Sequence, residues 1–346
     1  MSARAMQIHP QSDSRPWLGS RVGPQRGAAL LVALLIAALV SITLTLMLQR
    51  QSALAAIEWQ LRETAQARRI LQGAEDWALL ILREDARRSA IDHLGEPWAI
   101  PLREGRLADF LKSSDSAGAF AAELAGSRVQ DVWLSGQITD AQARYNLTRL
   151  ATGGAPAQER ALWLRVAAQA GVPADVARAA AVRFIAPPPA KDGARDNPSP
   201  AHQPPVSLAH LAVQAPAIAT YLTRLAEVAV VLPEATPINL NTASKPVLMA
   251  LLPSLDDKLA ERFLQLRQQA PWRDLNAVNA AFPDQPLNAD AAQAGVTSRY
   301  FTIRAQVRLG ADPATATEAS ATTLVERLPQ ENRTRVVRRE FGVADR

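Results

Sequence analysis

The chain has 346 residues, 48% hydrophobic and 21% charged, so a sizeable core is possible and length alone suggests two domains. It contains no cysteine, which excludes disulfides, thiolate metal sites and cysteine nucleophiles. The formal charge of +5 is concentrated at the start: Arg4, Arg15, Arg21 and Arg26 against Asp13 give residues 1–27 a net +3, leaving only +2 for the other 319.

Arg26-Gly27 is followed by Ala28 to Leu48, 21 residues without a charge. At ~1.5 Å per residue the run is about 31 Å long as a helix, enough to cross a bilayer's hydrocarbon core. A secretory signal peptide has a shorter apolar region with its cleavage site on the far side. Here the candidate cut lies before the run, at Gly27, on the basic side. That layout resembles a type IV prepilin-like precursor, cut on the cytoplasmic face so that the helix stays with the mature protein. An ordinary single-span anchor with a 27-residue tail is the alternative. An arginine-rich segment beside the span predicts a cytoplasmic N-terminus, with everything after residue 50 on the other side.

No proline occurs between Pro24 and Pro97, and Gly73 is the only glycine between Gly27 and Gly95. One continuous helix is therefore predicted from 28 to about 89. Beyond Leu48 it becomes amphipathic. Leu54, Ile57 and Leu61 follow the spacing of one buried stripe, resumed by Leu71, Ala74, Ala78 and Ile81. Glu58–Arg62 and Glu84–Arg88 are i,i+4 pairs on the wet side. Trp59 suits a membrane interface and Trp77 a core position. Ile91 to Trp98 ends the helix with Gly95 and Pro97. Its Asp92, His93 and Glu96 invite a catalytic reading, but a turn whose Trp98 covers the helix end is the favoured one. The four histidines (His9, His93, His202, His210) lack metal-ligand spacing, and none is expected to be a ligand or a base.

Strand patterns appear at Val129–Thr139 and, most cleanly, from Tyr300 to Leu309, where Phe301, Ile303, Ala305 and Val307 alternate with polar residues. Thr322–Leu328 and Arg333–Phe341 complete a predicted antiparallel meander. Between them, Gln158–Ala170, Ala174–Ile185, Val206–Gln214 and Ile218–Ala229 read as short helices, with a proline-rich loop from Pro187 to Pro205. A sheet interrupted by helices predicts an α domain inserted into an α+β domain.

Residues 238–243 are predicted to open a helix capped by Asn241 or Thr242, running to Leu252. A turn at 253–256 then leads into a second helix from Asp257 to Gln269. The segment resembles a helix-hairpin-helix, which grips nucleic-acid phosphate through a glycine-rich hairpin at a helix N-terminus. Both hairpin glycines are missing here, and Asp256 and Asp257 stand where the anion would bind. A packed hairpin is favoured, with Lys258, Arg262 and Arg267 as a solvated face. A membrane-anchored DNA-binding protein remains the alternative function.

The chain resembles the K-type minor pseudopilins of the bacterial type II secretion system, the GspK family. The resemblance is carried by Arg26-Gly27-Ala28-Ala29-Leu30-Leu31, Ile91 to Trp98, Arg144-Tyr145-Asn146-Leu147, Ile238 to Ala243 and Ser298-Arg299-Tyr300-Phe301. It implies an α+β pilin-like fold, with a long N-terminal transmembrane and stalk helix on a small antiparallel sheet and a large inserted α-helical domain. The implied division is leader 1–27, membrane helix 28–48, stalk 49–90, first pseudopilin part 91–147, inserted domain 148–298 and closing strands 299–346. It also implies a non-enzymatic function: capping and starting the periplasmic pseudopilus in a tip complex, in support of folded-protein export. The implied partners are minor pseudopilins of I, J and H type, the major pseudopilin, the prepilin peptidase and the inner-membrane assembly platform, with no nucleic acid. The implied location is the inner membrane, single-pass, with the C-terminal domain periplasmic. Carried over by position, Gly27 is the last leader residue and Ala28 the first mature and N-methylated one. Most pseudopilins carry a glutamate at the fifth mature position, where a carboxylate in lipid needs a partner. Here that position is Val32, as K-type members lack this glutamate. The family's calcium is not carried over, because Ala186–Pro205 offers only Asp192 and Asp196 where calcium wants about six to eight oxygens. No cofactor is expected.

Overall fold

The computed structural model describes residues 26–113, 131–151, 156–185, 203–283, 287–288, 290–312 and 314–342. The chain divides into two compact units, with the boundary between Arg62 and Glu63. Helix α1 (Arg26–Arg88) is continuous over 63 residues, as the absence of proline allows.

In the first unit, one stretch of the helix is long and apolar enough to cross a membrane, and its large side chains are exposed. Three hydroxyls interrupt it without leaving polar groups unpaired. Ser41, Thr43 and Thr45 donate to the carbonyls of Ala37, Leu39 and Ser41 at 2.7–2.8 Å. The predicted stripe needs a correction: Leu54, Ile57 and Leu61 are 67%, 55% and 65% exposed, and burial begins only at Ala67. Periodicity marks a face suited to burial without saying what covers it.

The second unit is built on a five-stranded antiparallel sheet in the order β1-β2-β7-β8-β9. Its members are β1 (Leu102–Arg106), β2 (Val132–Asp140), β7 (Tyr300–Leu309), β8 (Thr317–Leu328) and β9 (Arg333–Gly342). The closing meander is present, with β8 starting five residues earlier than its periodicity announced. β1, with alternating charges in a short run, gave no readable signal. Ala67, Ile70 and Leu71 of α1 pack on Val132, Leu134, Ala305 and Val307, while Ala78 and Leu82 pack on Ile138, Phe301, Ile303 and Val325. Small residues at 67 and 78 let helix and sheet approach. Polar contacts fix the register. Glu63 accepts from Thr317 (2.6 Å), Glu75 from Thr323 (2.7 Å) and from Arg339, and Asp85 from Arg327 (2.9 Å). Trp77, expected in a core, is only half-buried, edge-on to Phe110.

β2 and β7 are hydrogen-bonded neighbours, Asp140 opposite Phe301, although about 160 residues separate them. Between them lies the helical block. It comprises α2 (Pro156–Gln169), α3 (Ala174–Val182), α4 (Leu208–Gln214), α5 (Leu222–Val228), α6 (Lys245–Leu251), α7 (Asp257–Gln269) and α8 (Leu275–Ala281). Its core gathers Tyr145, Trp163, Phe184, Leu211, Leu225, Leu240 and Phe263, with the Trp163 indole donating to the Ala177 carbonyl at 2.7 Å. Gly171, at φ +70°, makes the left-handed turn between α2 and α3. Two short parallel pairs complete the block: β3 (Tyr145–Asn146) with β4 (Ala229–Val230), and β5 (Ile238–Asn239) with β6 (Ala294–Gly295). The observed fold is thus the α+β arrangement expected, a helix on an antiparallel sheet with a helical insertion.

One local expectation fails. Residues 238–243 do not open a helix: Ile238 and Asn239 form a strand, and α6 starts after Ser244, with Pro246 in its first turn. Asn239 and Asn241 use their side chains elsewhere.

Candidate functional site

The insertion leaves and re-enters the sheet at one place, and there the structure concentrates buried polar groups. Asp140 ends β2. Its Oδ1 accepts from the Gln142 amide (2.7 Å), and its Oδ2 accepts from Thr242 (2.5 Å), Ser298 (2.6 Å) and Asn239 Nδ2 (3.0 Å). Asn239 Nδ2 also reaches the Asp92 carbonyl (3.1 Å) and the Ser298 hydroxyl (2.9 Å), while its Oδ1 accepts from the Asn241 amide. Asp92 accepts from the Ser298 amide at 2.6 Å and pairs with Arg327. Arg327 Nη1 binds Asp85 at 2.9 Å, its Nη2 donates to the Ser298 carbonyl, and the guanidinium lies over the Phe301 ring. Gln142 completes the junction, its Oε1 accepting from the Arg299 amide at 2.7 Å and its Nε2 donating to the Pro237 carbonyl at 3.2 Å.

The turn after α1 is held from within. Glu96 Oε2 accepts from the His93 amide (3.0 Å) and the Trp98 indole (2.8 Å), and Trp98 packs edge-on against Phe301. His93 Nδ1 accepts from the Gly95 amide. The favoured turn is what the structure shows: Asp92, His93 and Glu96 stabilise the turn and its link to Ser298. His210 likewise accepts, from the Val206 amide. His9 and His202 lie outside the described residues.

Burial dominates the acidity of these groups. It pushes Asp140 up to about 6, opposed by the hydrogen bonds from Ser298 and Thr242. It likewise pushes Asp85 up to about 6, reinforced by Glu96 and opposed by Arg327. Asp92 is raised by burial, against the pull of Arg327. Directional bonds thus join the end of α1, β2, β5, the entry to β7 and β8. The chemistry suits a clamp that sets the insertion's orientation on the sheet.

The helical hairpin pairs its charges with one another at the surface. Asp256 Oδ1 caps α7 at the Leu259 amide (2.8 Å), and Lys245 is paired with Asp257 (2.8 Å) and Glu261 (3.0 Å). The helix end a phosphate would need is taken by a carboxylate. Arg262 lies over the Phe282 ring. Arg267 departs from the solvated face expected of it. It donates to the carbonyls of Leu240 (2.8 Å) and Ala243 (2.7 Å), and burial lowers it to about 10.

Gly27 and Ala28 fall in the first residues of α1, and Val32 lies within the next turn or so, exposed. Asp192 and Asp196 lie outside the described residues. Sequence reasoning missed Asp85, Asp140, Gln142 and Arg327. An arginine flanked by Leu324, Val325 and Leu328 was the one available signal.

Residues 238–297 match the family model described as type II secretion system (T2SS), protein K. That match runs from β5 through the hairpin to the residue before Ser298. The chain is 27% identical over 307 residues to the type II secretion system protein K of Pseudomonas aeruginosa PAO1, covering 83% of this chain and 85% of that protein. In fold it is similar to a chain of the crystal structure of the GspK–GspI–GspJ complex from the enterotoxigenic Escherichia coli type 2 secretion system. The TM-score is 0.58 and the identity 22%, over 82% of this chain and 99% of that one.

Proposed function

We propose that the chain is a K-type minor pseudopilin of type II secretion, which caps and starts the periplasmic pseudopilus in a tip complex with I- and J-type minor pseudopilins. The observation that carries this reading is the helical block inserted between the neighbouring strands β2 and β7, on a subunit whose long N-terminal helix exposes an apolar face. A similar fold occurs in a solved K–I–J assembly. In the proposed role the function is assembly, not catalysis. The H-type minor pseudopilin, the major pseudopilin and the inner-membrane platform are further partners.

The proposed topology has a cytoplasmic N-terminus and a periplasmic second unit, following the arginines at 4, 15, 21 and 26. A prepilin peptidase removes residues 1–27 after Gly27, and Ala28 becomes the methylated N-terminus. Val32 at the fifth mature position then leaves no carboxylate to pair with a subunit above, which suits a subunit at the top. Co-expression of the full chain with I- and J-type partners, followed by purification in detergent, tests the assignment. A stoichiometric ternary complex is expected; a chain that purifies alone at every detergent and salt condition refutes it.

A further inference from the structure

Glu96 is 5% exposed, and its Oε1 finds no hydrogen-bond partner among the described residues. The nearest counter-group is His93 Nε2 at 3.7 Å, too far for a hydrogen bond. His93 Nδ1 accepts from the Gly95 amide, so that ring nitrogen is already committed within the turn. Asp85 and Asp92 lie beside Glu96, and one oxygen from each of the three falls within 4.8 Å of the others. Both aspartates bind Arg327. Three buried carboxylates thus crowd around one guanidinium, and Glu96 Oε1 has no share in its pairing. Glu84 and Arg88, nearer the solvent, cancel each other at 2.8 Å.

We propose that Asp85, Asp92 and Glu96 form a site for one hard divalent cation of the calcium or magnesium class. Oxygens around calcium lie at about 2.3–2.6 Å from it, hence up to about 5 Å from one another, the spacing already present here. The donors are oxygens alone, which favours calcium or magnesium over zinc or copper. A cavity of about 390 Å³ lined by Leu80, Ile81, Asp85, Glu96 and Pro97 leads to the exposed Glu84 and Arg88, giving a route in and room for the waters that complete the shell. The ion would tie the last turn of α1 to the turn that carries Trp98. This site is separate from the 186–205 loop.

The test uses the full chain in detergent, stripped with EDTA and returned to CaCl2 or MgCl2 in separate arms. Bound metal is counted by mass spectrometry and unfolding is followed by tryptophan fluorescence. One ion per chain is expected. At an ion concentration about 100 times the dissociation constant, the midpoint should rise by roughly 5–10 °C. Glu96→Gln keeps an acceptor for the Trp98 indole but removes a charge. It should hold no ion and lose the ion-dependent rise, while its stripped form is as stable as the stripped wild type or more so. That pattern distinguishes a lost site from a misfolded chain. Absence of bound ion in both arms, or an unchanged ion count and thermal response in Glu96→Gln, overturns the proposal. So does a wild-type chain stabilised by acid and indifferent to both ions, because the carboxylates then share a proton.

Discussion

Asn239→Asp places a carboxylate where the fully buried Asn239 now donates to Asp140 Oδ2 at 3.0 Å, to the Asp92 carbonyl and to Ser298. Two unit charges about 3 Å apart repel by roughly 5 kcal/mol at an effective dielectric constant of about 20. Uptake of a proton by the pair relieves part of this, so the net loss at neutral pH should be about 3–5 kcal/mol. That is a large fraction of the roughly 5–15 kcal/mol that holds a typical domain folded. The shift should appear as a fall of roughly 6–15 °C in the unfolding midpoint. Asn239→Ala removes the donors without adding charge and should cost about 2–3 kcal/mol. The two differ in pH dependence. The carboxyl's folded pKa is raised by its neighbour above the unfolded value, so the folded state binds the extra proton and the penalty shrinks as pH falls through that raised pKa. Thermal unfolding of both variants between pH 5 and 8 therefore separates them: Asn239→Asp recovers toward low pH relative to Asn239→Ala. Equal midpoints for the two at every pH would show that Asn239 does not face Asp140 and that the clamp is wrongly described.

Gly27→Val should block removal of the leader and abolish secretion; a shortened chain on a denaturing gel would show that the cut lies elsewhere. Leu54→Asp with Ile57→Asp should leave the midpoint within about 1–2 °C, because both positions are exposed, while abolishing co-purification with I- and J-type partners. Unchanged complex yield would remove this face from the assembly. Asp140 is held near 6 in the folded state, above the ordinary aspartate value of 3.8, so its ionisation opposes folding. Its share of stability is therefore greatest below about pH 4, falls as pH rises to about 6 and is flat beyond, a slope that Asp140→Asn should lack in matched unfolding curves. The full chain should show no salt-sensitive retention of duplex DNA at low ionic strength, since Asp256 and Lys245 are already committed to contacts of their own. Tight retention lost by about 200 mM salt would restore the nucleic-acid reading.

The long helix and the closing strands were legible because each announces itself locally. Freedom from proline and glycine permits α1 and alternation marks β7, whatever lies around them. The junction was only half legible. The segments 91–98, 238–243 and 298–301 stood out as units, but nothing in any one of them says that Asn239 meets Asp92 and Asp140, since that contact closes loops of 147 and 99 residues. Helix-like composition at 238–243 misled for the same reason: Asn239 and Asn241 look like caps, and tertiary partners claim their side chains instead. Arg327 was hidden by its setting, as an arginine in a strand of mixed polarity reads as a solvated residue until Asp85 and Asp92 appear beside it.

The buried polar clamp also answers a mechanical requirement of this architecture. A helical block spliced between hydrogen-bonded strands is attached through two crossings, at Asp140 and at Ser298, and two nearby attachments act as a hinge unless their direction is fixed. Apolar contact supplies proximity but little orientation, because packed side chains can slide. Hydrogen bonds into one carboxylate from Gln142, Thr242, Asn239 and Ser298 each constrain an angle, and together they leave the block one way to sit on the sheet. Desolvating Asp140 and Asp85 enough to raise both to about 6 makes this costlier than an apolar joint would be. That cost is intelligible if the subunit's task is to present a rigid, oriented surface to the partners assembled around it, where a few degrees of play at the joint would be magnified across the inserted block.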